Sequence, residues 1–249
     1  MRAESPRIRG AVSFFQSRLL ADIGGLEHAF PCRTGEPGES LEGVTATLRD
    51  AFGMEANILV KQVHGKKAVV FDGDSDGARA LRDTKADAAI TGSPGLAAGI
   101  RTADCVPILI ADPATRVVAA VHGGWRGIVG GVVAEAVEKM VDSYNADPQD
   151  MVAAVGPHIM SCCYEVGPEV IEAFEKKFGK SFARKGSGDR SFLDLSAATV
   201  ESLVEAGLQK RKVDTLNMCT HCEKEYFYSY RRDGKGTGRQ LSFIFFRAC

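Results

Sequence analysis

The chain has 249 residues, 45% of them hydrophobic and 25% charged, with 31 basic against 32 acidic side chains for a formal net charge of −1. That balance argues against nucleic acid or an anionic membrane surface as the main partner, and no apolar run approaches the ~20 residues of a membrane span. The length amounts to about 1.7 nominal domains; without a tandem repeat, low-complexity tract or long polar linker, one domain over residues 1–249 is the simpler reading.

Loops are expected at 33–40, 72–85 and 185–190, which are rich in Gly, Ser and charge. Between them the chain reads as short strands at 57–63, 67–71, 86–91, 96–101, 106–111 and 116–121. The last two are separated by Asp112-Pro113-Ala114-Thr115, a hairpin turn by composition. The runs VPILIA and VVAAV are apolar without alternation, as strands covered on both faces must be. A helix follows over 126–144, where Ile128, Val129, Val132, Val133, Ala136, Val137, Met140 and Val141 recur at helical spacing. A buried strand at 151–155 precedes a helix at 168–178, with Pro168 in its first turn, and another helix at 195–208 capped by Asp194 or Ser196. A strand at 241–246 closes the chain. Strands outnumber helices and short turns join several of them. The pattern is that of an α+β fold on a large mixed sheet flanked by helices.

Three chemically able residues fall at strand ends beside glycines or turns: His64 in KQVHG, Cys105 in RTADCVP and His122 in AVHGGWRG. Two imidazoles and a thiolate suit zinc with its fourth position open, although their separations match no compact zinc motif. Each residue alone also fits an ordinary structural role, a hydrogen-bonded histidine or a small buried thiol. The setting of His122 adds weight. Gly123-Gly124 leads into a helix whose first turn carries Arg126, and exposed N–H groups, a helix start and a guanidinium together favour an anion. Cys105 and His122 serve equally well as the thiolate–imidazolium pair of a cysteine hydrolase. Asp104 and Gln62 are candidates to orient the ligands, and Arg231 with the aromatic segment 226–230 is a candidate for stacking a base and holding phosphate.

The opening residues, MRAESPRIRG, lack the apolar core of a signal peptide, so a cytoplasmic chain is expected, its seven cysteines serving as thiols or ligands rather than bridges. Cys219-Thr220-His221-Cys222 has Cys-x-x-Cys spacing, a metal or redox signal. It has no second such pair, and the adjacent Cys162-Cys163 would need unusual geometry to complete a structural zinc site. The plainer reading is a turn leading into an aromatic strand at 226–230. Only Cys105 thus acquires a role.

Together these segments closely resemble the family of peptidoglycan editing factor or laccase-domain proteins, also called multicopper polyphenol oxidases. The matching pieces are KQVHG at 61–65, ADAAIT at 86–91, RTADCVPILIAD at 101–112, AVHGGWRG at 120–127, GPHIMSCCYEVG at 156–167 and FYSYRRDG at 227–234. The resemblance implies a mixed-sheet fold related to cysteine hydrolases, with one zinc per chain on His64, Cys105 and His122 as the reacting centre. It also implies purine nucleoside and phosphate as partners, through phosphorylase activity, adenosine deamination or cleavage of methylthioadenosine. Copper-dependent phenol oxidation and hydrolytic editing of peptidoglycan precursors are further associations. Two departures stand out: the usual HAFSTR stretch is here His28-Ala29-Phe30-Pro31-Cys32-Arg33, and Gly123 replaces an alanine.

Donor counting disfavours copper. A multicopper oxidase needs a centre with two His and a Cys plus a histidine-fed cluster, and five histidines in all do not supply both. A zinc site beside arginines instead suits phosphorolysis or deamination, with Arg126, Gly123 and Gly124 receiving phosphate and Arg231 the weaker candidate for the nucleoside. Nothing in the sequence speaks to self-association.

Overall fold

The computed structural model describes residues 5–33 and 40–248. Its centre is two six-stranded mixed sheets. The first runs Arg7–Arg9, Val12–Phe15, Leu26–Pro31, Gln240–Phe246, Leu96–Thr102, Ala56–Ile58, antiparallel until its last, parallel pair. The second runs Val213–Thr215, Val152–Val155, Val106–Asp112, Val117–Gly123, Ala88–Thr91, Ala68–Val70, antiparallel inside and parallel at both edges. A three-stranded sheet of Glu165–Val166, Ser191–Leu193 and Ala183–Lys185 lies beside them.

The unalternating runs find their explanation here. In Val106–Asp112, Leu109 and Ala111 share a buried cluster with Ile100, Phe30 and Ile244 of the first sheet. Ile108 and Ile110 face Val133, Val137 and Met140 of helix Val132–Tyr144. Helix Leu41–Phe52 covers the outer face of the first sheet through Leu48 and Phe52, which meet Phe14 and Phe243. The result is helices, sheet, sheet and helix in layers, each strand of the second sheet's centre being apolar on both faces.

Several expectations needed revision. The helix foreseen over 126–144 is two, Trp125–Gly130 and Val132–Tyr144, because Gly131 adopts φ 87° and closes the first with its N–H on Gly127 and Ile128 carbonyls. The loop foreseen over 72–85 contains helix Ser75–Ala80, started by the Asp74 carboxylate accepting the Gly77 N–H at 2.8 Å. The strand foreseen at 226–230 is absent. There the Arg232 guanidinium gathers the carbonyls of Thr220, His221 and Phe227, and Ser229 caps the short helix Tyr230–Asp233, so the segment coils. Strands Arg7–Arg9, Val12–Phe15 and Leu26–Pro31 were not foreseen. Most of the loop expected at 33–40 lies outside the described residues. Among the described residues no helix is long and apolar enough to cross a membrane.

Candidate functional site

The hairpin Val106–Asp112/Val117–Gly123 assembles the first half of the site. Its Asp112 turn is closed by side-chain bonds to the Ala114 N–H at 3.0 Å and the Thr115 hydroxyl at 2.8 Å. The register that follows sets Pro107 opposite His122 and Val106 opposite Gly123. Cys105, one residue before the strand, therefore arrives beside His122 at the strand's far end. His64 comes from a separate loop and stands in the left-handed region at φ 59°. The ligating atoms of His64, Cys105 and His122 all lie within 4.8 Å of one another, and the two imidazoles meet edge to face at 4.8 Å.

A fully buried carboxylate, Asp87, organises all of this. Its Oδ1 is 2.8 Å from His122 Nδ1 and accepts the His64 N–H at 2.8 Å, while Oδ2 accepts the N–H groups of Gly65 at 2.7 Å and Val63 at 3.3 Å. One side chain thus fixes the strained His64 turn and the His122 ring together. With Nδ1 committed to Asp87, Nε2 remains as the ring nitrogen for a ligand, the usual carboxylate–histidine support of a metal site.

Ionisation follows from the same contacts. Burial alone pushes the Cys105 thiol up, but hydrogen bonds and charge from His122 and His64 outweigh it and bring it down to about 6. Burial pulls His122 down, yet Asp87 and Cys105 reverse this and raise it to about 9. Burial likewise opposes ionisation of Asp87, and His122 with the Gly65 and His64 N–H groups holds it below the ordinary carboxylate value. Cys105 is a thiolate near neutral pH, the form that ligates metal or attacks carbon. The donor set, its spacing and its carboxylate support all fit a divalent metal ion such as zinc.

Gly123 and Gly124 are buried behind this triad rather than lining open space. A Cβ on Gly124 would stand 3.0 Å from His64 Cδ2, 3.4 Å from Cys105 Sγ and 3.7 Å from His122 Cε1. Its hydrogen is what lets the three donors converge. A Cβ on Gly123 would meet Val106 and Ile128. Neither glycine lines the cavity, whereas Arg126 is exposed at its wall with the guanidinium 4.4 Å from the Trp125 ring.

The triad opens into a cavity of about 870 Å³. Among the described residues its walls bring Lys61, Arg101, Arg126, Arg231 and Arg239 together against one carboxylate, that of Asp104, with Trp125, Tyr164 and Tyr230 as ring faces. Burial pushes the Tyr164 hydroxyl up to about 12, so it stays a donor. Of the expected residues, Gln62 and Asp104 line the cavity, but their hydrogen bonds run to the backbone of Arg101 and to Thr220 and Arg231 rather than to the imidazoles. Gln62 brackets the Arg101 backbone with two bonds of 2.8 Å. Asp104, at φ 91°, accepts the Thr220 hydroxyl and the Arg231 N–H, both at 2.6 Å. It thereby positions Arg231. Within the aromatic segment, Phe227 and Tyr228 are buried and only Tyr230 reaches the cavity.

A second group converges nearby. The thiols of Cys162, Cys163, Cys219 and Cys222 lie within 4.8 Å of one another, so the adjacent Cys162-Cys163 does reach the Cys-x-x-Cys pair, contrary to the expectation that its geometry would keep it away. His28 and Cys32, from the departing N-terminal stretch, are buried in or beside the first sheet, and burial pushes the Cys32 thiol up to about 12.

A family model described as multi-copper polyphenol oxidoreductase laccase matches residues 32–247. The chain belongs to this family. It is 35% identical over 198 residues to a purine nucleoside phosphorylase of Clostridium acetobutylicum, covering 79% of this chain and 80% of that one. Adenosine deaminase RL5, from an unknown prokaryotic organism, is 35% identical over 209 residues, covering 80% of this chain and 79% of its own. The solved structure of YlmD from Geobacillus stearothermophilus matches with a TM-score of 0.87 at 26% identity, over 98% of this chain and 99% of its own. Members of the laccase-like family thus carry nucleoside-processing names on this mixed α/β fold.

Asp87 is the principal residue that motif reading passed over. Its signal was present: an acid inside the apolar run of ADAAIT, where a charge is retained only if paired. Lys61, Arg101 and Arg239 carried no such mark, since three distant segments bring them together.

Proposed function

We propose that this chain is a zinc-dependent purine nucleoside phosphorylase, converting inosine, adenosine or guanosine and phosphate to the free base and ribose 1-phosphate. The observation that carries the reading is the joining of a two-imidazole, one-thiolate triad to a small cavity whose described walls carry five cations and one carboxylate. A volume near 870 Å³ is of the size that encloses small molecules, which favours a nucleoside over a peptidoglycan precursor. The phosphorylase and deaminase names of the relatives support the same substrate class.

Zinc held by His64, Cys105 and His122 would supply a Lewis acid with an open position. The chain's own residues do the rest. Arg126 and Arg231 bind phosphate, for which planar guanidinium donors are suited. Trp125, Tyr164 and Tyr230 offer faces to the purine. Asp87 keeps the His122 proton on Nδ1, and Cys105 remains deprotonated at the centre. Orienting phosphate below the anomeric carbon lowers the entropic part of the barrier.

Adenosine deamination and methylthioadenosine cleavage would use the same cavity, the former with water in place of phosphate. Copper-dependent oxidation is disfavoured by donor supply: His28 Nε2 accepts the Ser17 N–H at 2.9 Å, His158 Nδ1 is 2.8 Å from the Gly156 carbonyl, and neither joins the triad.

The test is inosine consumption with and without phosphate, with Cys105→Ala beside the wild type. Phosphate-dependent release of hypoxanthine, lost in the variant, is expected. Consumption independent of phosphate would identify a hydrolase instead. Failure to turn over any nucleoside would overturn the assignment.

A further inference from the structure

We propose that Cys162, Cys163, Cys219 and Cys222 form a second metal site, a tetrathiolate centre for a zinc-type ion that clamps two turns together beside the cavity. Two of the sulfur separations are 3.7 Å (Cys162–Cys222) and 3.4 Å (Cys163–Cys222), and all four thiols fall within 4.8 Å. Tetrahedral zinc with Zn–S bonds of ~2.3 Å holds its sulfurs about 3.8 Å apart. The thiols already stand near that arrangement.

Two tight turns create it. In one, the N–H groups of Cys163 and Tyr164 both return to the Met160 carbonyl at 2.9 Å, which turns the adjacent Cys162 and Cys163 toward a common neighbour. In the other, the Glu223 N–H bonds the Cys219 carbonyl at 2.9 Å and the Lys224 N–H bonds the Cys222 carbonyl at 3.0 Å, a coil that gathers a Cys-x-x-Cys pair. A parallel bridge between His158 and Cys219 sets the turns face to face, and the Met160 N–H points at Cys219 Sγ from 3.5 Å. Backbone N–H groups directed at sulfur are the support a metal-bound thiolate needs.

Exposure and charge agree. Cys162 and Cys222 are exposed and Cys163 half-buried, with Cys219 alone buried, so three of the four are not serving as small core residues. Guanidinium groups flank both turns: Arg232 donates to the Thr220 and His221 carbonyls at 2.9 and 3.1 Å, and Arg184 to the Ser161 carbonyl at 3.0 Å. These cations offset the negative charge of four thiolates around a divalent ion. The site is closed, with four protein donors and no open position, so its role is structural. Between Cys219 and Cys222 lies Thr220, whose hydroxyl bonds Asp104 beside Cys105. Clamping the turn therefore steadies the wall that also presents Arg231.

The site stands apart from the His64–Cys105–His122 triad and is testable without any activity assay. The purified full chain carrying His64→Ala, which weakens the triad, is reduced, stripped with chelator and titrated with cobalt(II), then zinc(II), alone. The expected result is one equivalent of cobalt(II) per chain with the intense thiolate-to-metal and visible bands of a tetrahedral sulfur site, lost on adding Cys222→Ser or, separately, Cys162→Ser. Bound zinc should slow maleimide labelling of all four thiols by at least tenfold. Labelling at the same rate with and without zinc, or a Cys163–Cys222 disulfide that persists in the protein isolated without oxidant, would overturn the proposal. Neither outcome bears on nucleoside turnover, so this site and the proposed activity stand or fall separately.

Discussion

Asp87 Oδ1 sits 2.8 Å from His122 Nδ1 while the same carboxyl accepts three N–H groups of the turn that carries His64. Two ligand candidates from distant parts of the chain are thus referenced to one buried anion. Asp87→Asn keeps the shape but removes the charge, and an amide cannot accept from all these donors. Supporting groups of this kind are worth roughly 10–100-fold in metal affinity. Competition against a chelating dye should show a loss of that size in the variant. Unchanged affinity would mean that Asp87 serves the fold alone. Asp87→Ala should additionally destabilise the protein, by about 3–5 kcal/mol if the buried pair behaves as such pairs do when one partner is removed.

Gly124 makes a purely steric prediction. An alanine Cβ there would lie 3.0 Å from His64 Cδ2 and 3.4 Å from Cys105 Sγ. His64 is exposed, so it can swing aside without disturbing the core. Gly124→Ala should therefore weaken metal binding at the triad at least tenfold on the order of a single displaced ligand, with little change in melting temperature. A large fall in melting temperature with affinity intact would contradict this account.

How far the sequence revealed this molecule depends on whether a feature is local. Asp112-Pro113-Ala114-Thr115 closes a hairpin through its own side chain, and the runs on either side declare their burial, so that pair was legible. So was the helix at 168–178, with proline at its start and Gly179 in the left-handed region at its end. The triad residues were marked by strand ends and glycines. Gly130-Gly131, by contrast, sits inside a continuous apolar stripe, and only the φ of Gly131 reveals that the stripe spans two helices. The aromatic run at 226–230 reads as a strand until Arg232 is seen gathering its carbonyls, a contact no propensity encodes. The four-cysteine cluster joins turns some 60 residues apart through a non-local bridge, which spacing rules built for compact motifs do not reach.

His28 supplies a pH prediction. Burial, with the charge of Arg7 adding to it, lowers its pKa to about 3, and the Ser17 N–H donated to Nε2 occupies the lone pair that a proton would take. The folded state thus holds it neutral while the unfolded chain protonates it below about 6.5. Since the unfolded state binds the extra proton, stability is full above about pH 6.5 and falls as pH drops from there toward about 3, by up to ~1.4 kcal/mol per pH unit. His158, also lowered by burial, acts in the same direction. Urea unfolding at pH 7.5, 6 and 5 should show this slope, and His28→Gln, which keeps an acceptor for the Ser17 N–H, should flatten it by about one proton. Parallel slopes in the two proteins would remove His28 from the account.

Asp104 ties the wall of the cavity to the loop between Cys219 and Cys222, holding the Thr220 hydroxyl on one oxygen and the Arg231 N–H on the other. It does so from φ 91°, a conformation costly for any residue with a Cβ, so the two bonds must outweigh that strain. Hydrogen bonds to a buried charged group contribute about 1.5–3 kcal/mol each. Thr220→Val removes one donor without changing shape, and Asp104→Asn removes the charge that strengthens both. If the pair acts as a unit, the double variant should be less destabilised than the sum of the singles by about 1–3 kcal/mol. Because Arg231 loses its anchor, Asp104→Asn should also raise the KM for phosphate more than it lowers kcat. Additive unfolding energies would show that Asp104 and Thr220 are neighbours without coupling, and the clasp would then have to be sought in the Arg231 backbone alone.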